Sequence, residues 1–329
     1  MEGITTFTNY YTRLHKIGKH MRCLIIHNPA SGPSSDEIFA FSRALSRASD
    51  EICMRFIGAG MEASDATADA TSFDRIVVSG GDGTVSNVLD CLRGTHVPLL
   101  VFPSGTANLF FNNIGNAPEA AALAAACRRG RTASVDMGEL YWKDEAGDIQ
   151  RHGFIIIAGS GFDAAIMEKA APSKNDIGEI AYAFAALATP EPQVAHFTIE
   201  HDGQIDELDG IGCMVGNTAV IQNDINLFPD CRMDDGLIDI TVIEPAKTVE
   251  LLPTLLAAAL DPAGKGLGRP QFKMFQAKEA RITCKPSLGM QFDGELIPNN
   301  SGVFGARVLP RCLDIIIDDF SKLNVRNAG

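Results

Sequence analysis

Short apolar runs alternate with amphipathic stretches along the first part of the chain. The runs cover 24–26, 52–57, 75–78 and 97–102, and each has the length of a strand. Between them apolar residues recur at helical spacing. Examples are Ile38, Phe39, Phe41 and Leu45, and later Val85, Val88, Leu89 and Leu92. Apolar strands separated by helices predict an α/β domain with a doubly wound parallel sheet, which carries helices on both faces.

A different pattern begins after about residue 136, where short strand-like runs follow one another closely. The runs cover 154–157, 195–200, 211–215, 237–243, 280–284, 290–292 and 313–317. Asp202-Gly203 suits a two-residue hairpin turn. Helices are predicted at 175–189 and 246–260. This part of the chain therefore predicts a β-rich sandwich domain at the C-terminal side.

These patterns divide the chain into three segments. Residues 1–20 are polar and precede the first strand, which predicts a flexible appendage. A short amphipathic helix for membrane contact is the alternative there. Residues 21–135 form the α/β domain, with 319–329 as a candidate return to it. Residues 136–318 form the β-rich domain, which would bind the substrate.

Composition narrows the class of protein. The chain has 329 residues, of which 46% are hydrophobic and 21% charged, as in ordinary globular proteins. No apolar run reaches the roughly 18 residues that span a bilayer, and the first 20 residues lack the apolar core of a secretory signal. The eight cysteines show no metal-binding spacing, so reduced cysteines in a cytoplasmic protein are expected. A net charge of −13 argues against nucleic acid as a partner.

The segment from Gly80 to Thr84 lies between a predicted strand and a predicted helix. Gly80, Gly81 and Gly83 would let the backbone turn with positive φ and approach a ligand closely. The start of the helix supplies free N–H groups that suit phosphate. Asp82 would repel phosphate, so its presence indicates an intervening cation, most simply Mg²⁺. Thr84 could bond a phosphate oxygen, and the alternative for Asp82 is a simple helix cap.

Two further loops repeat this design. Segment 103–108 combines a glycine, hydroxyl groups and an amide before another helix. Its candidate ligand groups are Ser104, Gly105, Thr106 and Asn108. Segment 28–32 could reach a nucleotide through Asn28. Because all three loops follow strands of one parallel sheet, we expect them at the edge where such sheets bind ligands. No Walker A or protein-kinase motif occurs.

In order and spacing, these segments resemble the diacylglycerol kinase catalytic-domain family, which includes bacterial soluble lipid kinases and sphingosine kinases. The resemblance covers almost the whole chain from Met21. Its motifs are 28–32, 80–84, 103–108, 159–164 with 178–182, 234–239 and 292–295. It implies an NAD-kinase-like first domain that binds the nucleotide, with ATP and Mg²⁺ as the cofactors.

The resemblance also implies roles for single residues. Asp82 would act through Mg²⁺ near the phosphates. Asp293 would be the general base that accepts the proton of the acceptor hydroxyl, and Glu295 would assist with the metal or the nucleotide. Asp235 and Asp239 would form a second, structural metal site. The alternative for this last pair is two solvated carboxylates in a strand.

Some features leave the resemblance incomplete. Leu109 follows Asn108, where relatives active on diacylglycerol often carry Asp. Segment 222–226 stands where many relatives have a glycine-rich stretch. The first difference weakens diacylglycerol as the substrate, and the second predicts a different lipid-facing wall. Taken without the resemblance, Asp293-Gly294 is the kind of dipeptide that forms a hairpin turn.

The implied activity is transfer of the γ-phosphoryl group of ATP to a lipid hydroxyl, diacylglycerol or sphingoid-like, in a cleft between the domains. The lipid would be met at the membrane surface through transient contact of basic residues. Candidate patches are segment 1–22 and the group Lys265, Arg269, Lys273 and Lys278. No protein partner is implied, and a homodimer stays open. The alternatives are a kinase of a soluble substrate, as in NAD kinases and phosphofructokinases with the same glycine loop, and a non-catalytic nucleotide sensor.

Overall fold

The computed structural model describes residues 20–32, 35–58, 60–161, 192–222, 225–226, 228–261, 263–297 and 301–323. Several sequence-based predictions fall outside these residues. They concern the appendage at 1–19, the helix at 175–189, the motif segments 162–164 and 178–182, the centre of 222–226 and the end of the chain after 323.

The first part of the chain alternates strands and helices as the apolar pattern predicts. Its strands are β1 (Arg22–His27), β2 (Glu51–Phe56), β3 (Arg75–Gly80) and β4 (Leu99–Pro103). Its helices are α1 (Glu37–Leu45), α2 (Ala63–Thr67), α3 (Asp82–Leu92), α4 (Leu109–Ile114) and α5 (Ala120–Arg129). A 3₁₀ turn, Ala70–Ser72, precedes β3.

The four strands pair in parallel in the order β2-β1-β3-β4. The chain thus runs outward from β1 to β2 and then crosses back, which sends its helices to opposite faces. Helix α1 packs with α5, and α2 packs with α3. The doubly wound parallel sheet predicted from the sequence is confirmed.

The second part of the chain is built mainly from antiparallel strands. Its first strands are β5 (Thr132–Lys143), β6 (Ile149–Phe154), β7 (Ile157–Gly161), β8 (Ala195–His201), β9 (Gln204–Gly210), β10 (Gly212–Gly216), β11 (Val220–Gln222) and β12 (Ile225–Asn226). The later strands are β13 (Ile238–Ile243), β14 (Phe272–Ala277), β15 (Glu279–Lys285), β16 (Met290–Phe292), β17 (Glu295–Ile297) and β18 (Val303–Ile316). A 3₁₀ turn (Thr248–Leu251) leads into helix α6 (Leu252–Leu260), where one longer helix was predicted.

Two sheets of the described residues face each other in this part. One has six strands in the order β14-β13-β10-β7-β16-β17. The other is the far end of the ten-stranded sheet that also contains the parallel strands, and it continues in the order β4-β18-β15-β8-β9. Strand β5 also pairs with β18, and β6 pairs with β5. Apolar side chains from both fill the space between, among them Phe197, Val215, Ile240 and Phe304. The predicted β-rich sandwich is confirmed.

Strand β18 belongs to both halves of the molecule. Its first residues pair with β15 inside the sandwich, whereas Ile315 pairs in parallel with Leu99 of β4. Leu313, Ile315 and the residues after them are buried in the first core. Segment 316–322 then bonds the end of α4, since Lys322 donates its backbone N–H to the Ile114 carbonyl. The domain boundaries given above stay a prediction.

Phe39, placed on the buried stripe of α1 by its spacing, is instead 49% exposed. The prediction was wrong because α1 buries Ile38, Phe41 and Leu45, which leaves Phe39 on the outer side. Within the described residues, no helix has the length and apolarity needed to cross a membrane.

Candidate active site

Glycines let the three loops at the carboxyl edge of the sheet approach one another at backbone distance. A Cβ on Gly105 would lie 2.5 Å from the Cα of Gly81, and one on Gly32 would lie 2.8 Å from the Ser104 carbonyl oxygen. The prediction that Gly80, Gly81 and Gly83 turn with positive φ is wrong. Gly81 has φ −78°, and its neighbours continue β3 and α3. These glycines serve close approach, because a Cβ on Gly80 would collide with Thr84 at 2.4 Å.

Polar side chains join the same loops. Asn28 donates its Nδ2–H to Thr84 Oγ1 at 2.8 Å, which ties the first loop to the glycine loop. Beneath them lies a chain of hydroxyls, with Ser104 Oγ 3.2 Å from Ser31 Oγ and 3.0 Å from Ser79 Oγ. His27 Nδ1 bonds Ser79 at 2.9 Å, and burial lowers the pKa of this imidazole. The expected meeting of the three loops at one edge is therefore observed.

The third loop uses its predicted ligand groups partly to shape itself. Asn108 begins α4 in the left-handed region, with φ 49°. Its Oδ1 accepts the Gly105 N–H and its Nδ2 donates to the Gly105 carbonyl, both at 2.8 Å. Ser104 is fully buried, whereas Thr106 is exposed. Contact of Ser104, Thr106 and Asn108 with a nucleotide stays a prediction.

Asp82 caps a helix other than its own. It stands at the first position of α3, after Gly81. Its two carboxylate oxygens instead accept the N–H groups of Leu109 and Phe110 at 3.0 and 3.1 Å. A carboxylate at the positive end of α4 is electrostatically favourable. Burial nevertheless raises the pKa of Asp82, and the two amide bonds offset part of that rise.

Asp293 and Gly294 form the two-residue turn between β16 and β17. Both residues have positive φ, 42° and 86°, which is the backbone of a type I′ hairpin. The hairpin alternative considered from the sequence is therefore right about the backbone. The side chain does more, because the turn directs the Asp293 carboxylate to the hydroxyl of Ser86 in α3.

The carboxylate of Asp293 accepts four hydrogen bonds. Three come from consecutive backbone N–H groups, those of Ile155, Ile156 and Ile157, at 2.8 to 3.0 Å. The fourth comes from the hydroxyl of Ser86 in α3, at 2.5 Å. Burial raises the pKa of Asp293, and these four donors lower it by a smaller amount. The group is thus a well-oriented carboxylate whose basicity is increased by desolvation.

Glu295 approaches the glycine loop from the other side of the same hairpin. Its Oε1 accepts Asn87 Nδ2 at 3.3 Å, and a Cβ on Gly83 would lie 3.5 Å from that oxygen. Beside it lies a cleft of about 560 Å³. One face of α3 lines this cleft, together with Asn28, Ile57, Gly58, segment 61–64, His152 and Glu295.

The proposed second metal site has a different environment. Asp235 Oδ1 accepts the Leu237 N–H at 3.0 Å. Asp239 Oδ1 accepts Gln276 Nε2 at 3.1 Å, while its Oδ2 is buried without a hydrogen-bond partner. Burial raises the pKa of Asp239 to about 6. Among the residues that the structure describes, no three His, Cys, Asp or Glu side chains are grouped to hold a metal ion. Metal binding by Asp235 and Asp239 stays a prediction.

Sequence reasoning missed the donors that orient Asp293 and Glu295. Ser86 is 1% exposed and lies three residues before Leu89, so a hydroxyl on the buried stripe of α3 was the available signal. Asn87 is the next residue along the same helix. Nothing in the local sequence indicated that the backbone N–H groups at 155–157 face this point.

Comparison with known proteins gives two family matches. The diacylglycerol kinase catalytic domain family matches residues 22–140, and the YegS C-terminal NAD kinase beta sandwich-like domain family matches residues 156–317. Together the two matches support the diacylglycerol kinase catalytic-domain family for this chain. The two matches follow one another in the order of the two observed parts of the chain.

Two proteins named diacylglycerol kinase illustrate the relationship. The one from Mycobacterium tuberculosis strain H37Rv is 28% identical over 300 residues, which cover 86% of this chain and 90% of the relative. The one from Staphylococcus carnosus strain TM300 is 24% identical over 290 residues, which cover 83% and 88%. These relatives and the two family matches support the assignment of this chain as a kinase.

Solved structures agree on the fold. A crystal structure of a diacylglycerol kinase from Bacillus anthracis strain Sterne superposes with a TM-score of 0.69 at 23% identity, covering 92% of this chain and 99% of that one. Yeast NADH kinase complexed with NADH gives a TM-score of 0.55 at 11% identity, covering 91% and 84%. The second likeness agrees with the NAD-kinase-like fold expected from the sequence.

Proposed function

We propose that the protein is an ATP-dependent lipid kinase, which transfers the γ-phosphoryl group to a lipid hydroxyl in the cleft beside α3. One observation carries the proposal. Two carboxylates from the second half of the chain meet the first turns of α3, with Asp293 bonded to Ser86 at 2.5 Å and Glu295 bonded to Asn87 at 3.3 Å. Phosphoryl transfer needs a bound phosphate chain and a base for the nucleophile. The start of α3 would hold the phosphates, and Asp293 would be the base.

The phosphates of ATP would lie at the start of α3. Free N–H groups and the positive end of the helix favour anions there. The cleft of about 560 Å³ beside this point falls within the usual range for small-molecule sites. Asn28 and Thr84 line the cleft, and their mutual hydrogen bond fixes the loop that would contact the phosphates.

Glu295 and Asp82 have the oxygen donors that Mg²⁺ prefers. Glu295 is an exposed residue that lines the cleft. Each oxygen of Asp82 accepts one N–H and keeps a second lone pair. Mg²⁺ sites of phosphotransferases usually use one or two carboxylates with water and phosphate oxygens, so these two residues fit. When bound, the ion would neutralise charge on the transferring phosphoryl group.

Asp293 would accept the proton of the acceptor hydroxyl, and Ser86 would be the point of access. The three amide donors at 155–157 are fixed by the backbone, whereas the Ser86 side chain can rotate. A substrate hydroxyl can displace Ser86 from Asp293. Alternatively, it can pass its proton to the Ser86 oxygen while Ser86 passes its own to Asp293. In both cases the carboxylate keeps the orientation that its three amide donors set.

The lipid nature of the acceptor is supported by the relatives. Proteins named diacylglycerol kinase align with this chain over more than four-fifths of its length. An acceptor of this class is dissolved in a bilayer, so the enzyme would bind the membrane surface transiently. We also propose that the protein is located in the cytoplasm. Its net charge of −13 argues against nucleic acid as a partner.

The direct test is incubation with labelled ATP and Mg²⁺ and a panel of acceptors. The panel contains diacylglycerols, sphingoid bases, NAD and sugars. We expect label in the lipid phase only. Label in NAD or a sugar would replace the lipid proposal with a soluble-substrate kinase. Tight ATP binding without turnover of any acceptor would favour a nucleotide sensor.

Asp293→Asn tests the base. We expect turnover to fall by at least about 10²-fold, the usual contribution of general base catalysis, with ATP affinity unchanged. Asp202→Asn is a matched control, because Asp202-Gly203 has the same turn backbone, with φ 43° and 80°, in the hairpin between β8 and β9. Wild-type turnover in Asp293→Asn, or an equal loss in Asp202→Asn, would refute the assignment.

A further inference from the structure

Helix α6 presents an apolar face to solvent. Leu256 and Leu260 are 60% and 68% exposed, and Leu267 in the following loop is 46% exposed. Pro253 lies on the same exposed face, and the helix contains no charged residue. We call these four residues the leucine surface. Several large apolar side chains grouped in this way mark a surface that something covers.

The loop that carries Leu267 is held in one conformation. Asp261 Oδ2 accepts the N–H groups of Gly266 and Leu267 at 2.6 and 2.7 Å. Arg269 is 8% exposed and donates to the carbonyls of Asn226, Leu267 and Asp261. A buried guanidinium therefore fixes the turn that exposes a leucine. Arg269 is also unavailable as a lipid-binding cation, contrary to its place in the basic patch suggested by the sequence.

A lysine lies on each side of the leucine surface. Lys247 precedes the helix, Lys265 follows it, and both are exposed. Among the described residues, neither ammonium group has an ion pair. Two carboxylates lie near the lysines and are held by backbone N–H groups, since Glu250 accepts the Lys247 N–H and Asp261 accepts the Gly266 N–H. On a chain of net charge −13, an apolar face between two unpaired lysines is complementary to an anionic bilayer.

The opposite side of α6 connects this surface to the candidate active site. Ala258 packs in a cluster with Ile211 and Met214 on the six-stranded sheet, and Ile157 packs against that cluster. Ile157 donates its N–H to Asp293 at 3.0 Å. The leucine surface and the candidate base are therefore supported by one packed layer.

We propose that the leucine surface, flanked by Lys247 and Lys265, docks the protein on an anionic lipid bilayer. The inference rests on the proposed function for the identity of its occupant, because a lipid kinase must contact the bilayer that holds its acceptor. The leucines would enter the boundary between head groups and acyl chains, and the two lysines would contact anionic head groups. If the occupant were a second copy of this chain, binding would not require the two flanking lysines.

The test is sedimentation with vesicles of phosphatidylcholine and phosphatidylglycerol. We expect Leu256→Gln/Leu260→Gln to reduce the partition coefficient by roughly tenfold per leucine, from the apolar area that each buries. Leu267→Gln should reduce it in the same direction. Lys247→Gln and Lys265→Gln should each reduce it about fivefold on these vesicles and have no effect on neutral ones.

Ile205→Gln is the matched control, because Ile205 is 67% exposed on β9, away from α6. It should bind vesicles like the wild type. Unchanged vesicle binding in the double leucine variant would overturn the proposal. So would a wild-type dimer that the double variant converts to monomers in sedimentation velocity, since the occupant would then be a second copy.

Activity on a short-chain, monomeric lipid separates this inference from the proposed function. The double leucine variant should keep wild-type turnover on that acceptor and lose turnover on long-chain lipid in vesicles. If the wild type phosphorylates no lipid yet binds vesicles through the leucines, the proposed function fails and the docking surface stands. If the wild type phosphorylates lipid and the double leucine variant binds vesicles like the wild type, the docking surface is refuted and the proposed function stands.

Discussion

Replacement of Ser86 by alanine perturbs the candidate base without touching its backbone donors. The substitution removes the 2.5 Å bond from the hydroxyl to Asp293 and leaves the three N–H groups at 155–157 in place. That hydroxyl stabilises the charged form of the carboxyl, and so it lowers the pKa of Asp293. Its loss must raise this pKa, which already lies above the ordinary value of 3.8 because of burial.

The size of the effect follows from the bond. A hydrogen bond to a charged group contributes about 1.5–3 kcal/mol, and a change of one in pKa corresponds to about 1.4 kcal/mol. The three remaining donors absorb part of the loss, so we expect a rise of about 1. A base acts only when deprotonated, and the acid limb of kcat/KM should therefore move to higher pH by about one.

The assay is kcat/KM for the lipid acceptor between about pH 5 and 9, at saturating ATP and Mg²⁺. Ser134→Ala is the matched control, because Ser134 donates a bond of 2.6 Å to Asp314, away from the cleft. It should leave the acid limb in place. An unmoved limb in Ser86→Ala, or one displaced to lower pH, would refute the argument that Ser86 modulates the base.

Three further predictions address the loops and the buried acids. In Gly105→Ala the new Cβ would lie 2.5 Å from the Cα of Gly81 and must push the two backbones apart, so ATP affinity measured by calorimetry should fall at least about tenfold. Gly268→Ala is the control and should not change the affinity, because its Cβ would meet nothing within 4 Å. Asp82→Asn places an NH₂ donor against one of the two N–H groups of α4 that the carboxylate accepts, so the free energy of unfolding in urea should fall by about 1 kcal/mol, a loss that Mg²⁺ does not restore. Asp239 has a folded-state pKa of about 6 against 3.8, so its ionisation costs almost nothing well below pH 3.8 and costs about 3 kcal/mol above pH 6. Asp239→Asn should thus raise Tm at pH 8 and not at pH 4, and Mg²⁺ that stabilises the wild type at pH 8 but not this variant would support a second metal site.

The parallel sheet could be predicted because each of its strands is a continuous apolar run. Burial on both faces requires that composition, and the turn residues at each end mark where the strand stops. The long strands β5 and most of β18 escaped prediction for a physical reason. Both carry buried or half-buried charges, such as Glu139, which is 2% exposed and bonded to Arg307 at 2.7 Å. The partners lie 168 residues apart, so no local pattern reveals that their charges are paired.

The candidate site was predictable in its parts and not in its assembly. The glycine loop, Asp293 and Glu295 were identified from short motifs. The bond from Ser86, just after the glycine loop, to Asp293 links residues 207 apart, and its geometry depends on the turn between β16 and β17. The chain gave no sign that Asp82 would cap α4, because that contact requires the third loop to fold against the second.

Strand β18 also constrains how the molecule can be made. Leu313, Ile315 and Ile316 are fully or almost fully buried in the core of the parallel sheet, beside strands that are synthesised about two hundred residues earlier. On the ribosome, the strands β1 to β4 must therefore wait with one edge uncovered while the rest of the chain is translated. Folding of the first half is completed last, by the strand that also closes the second.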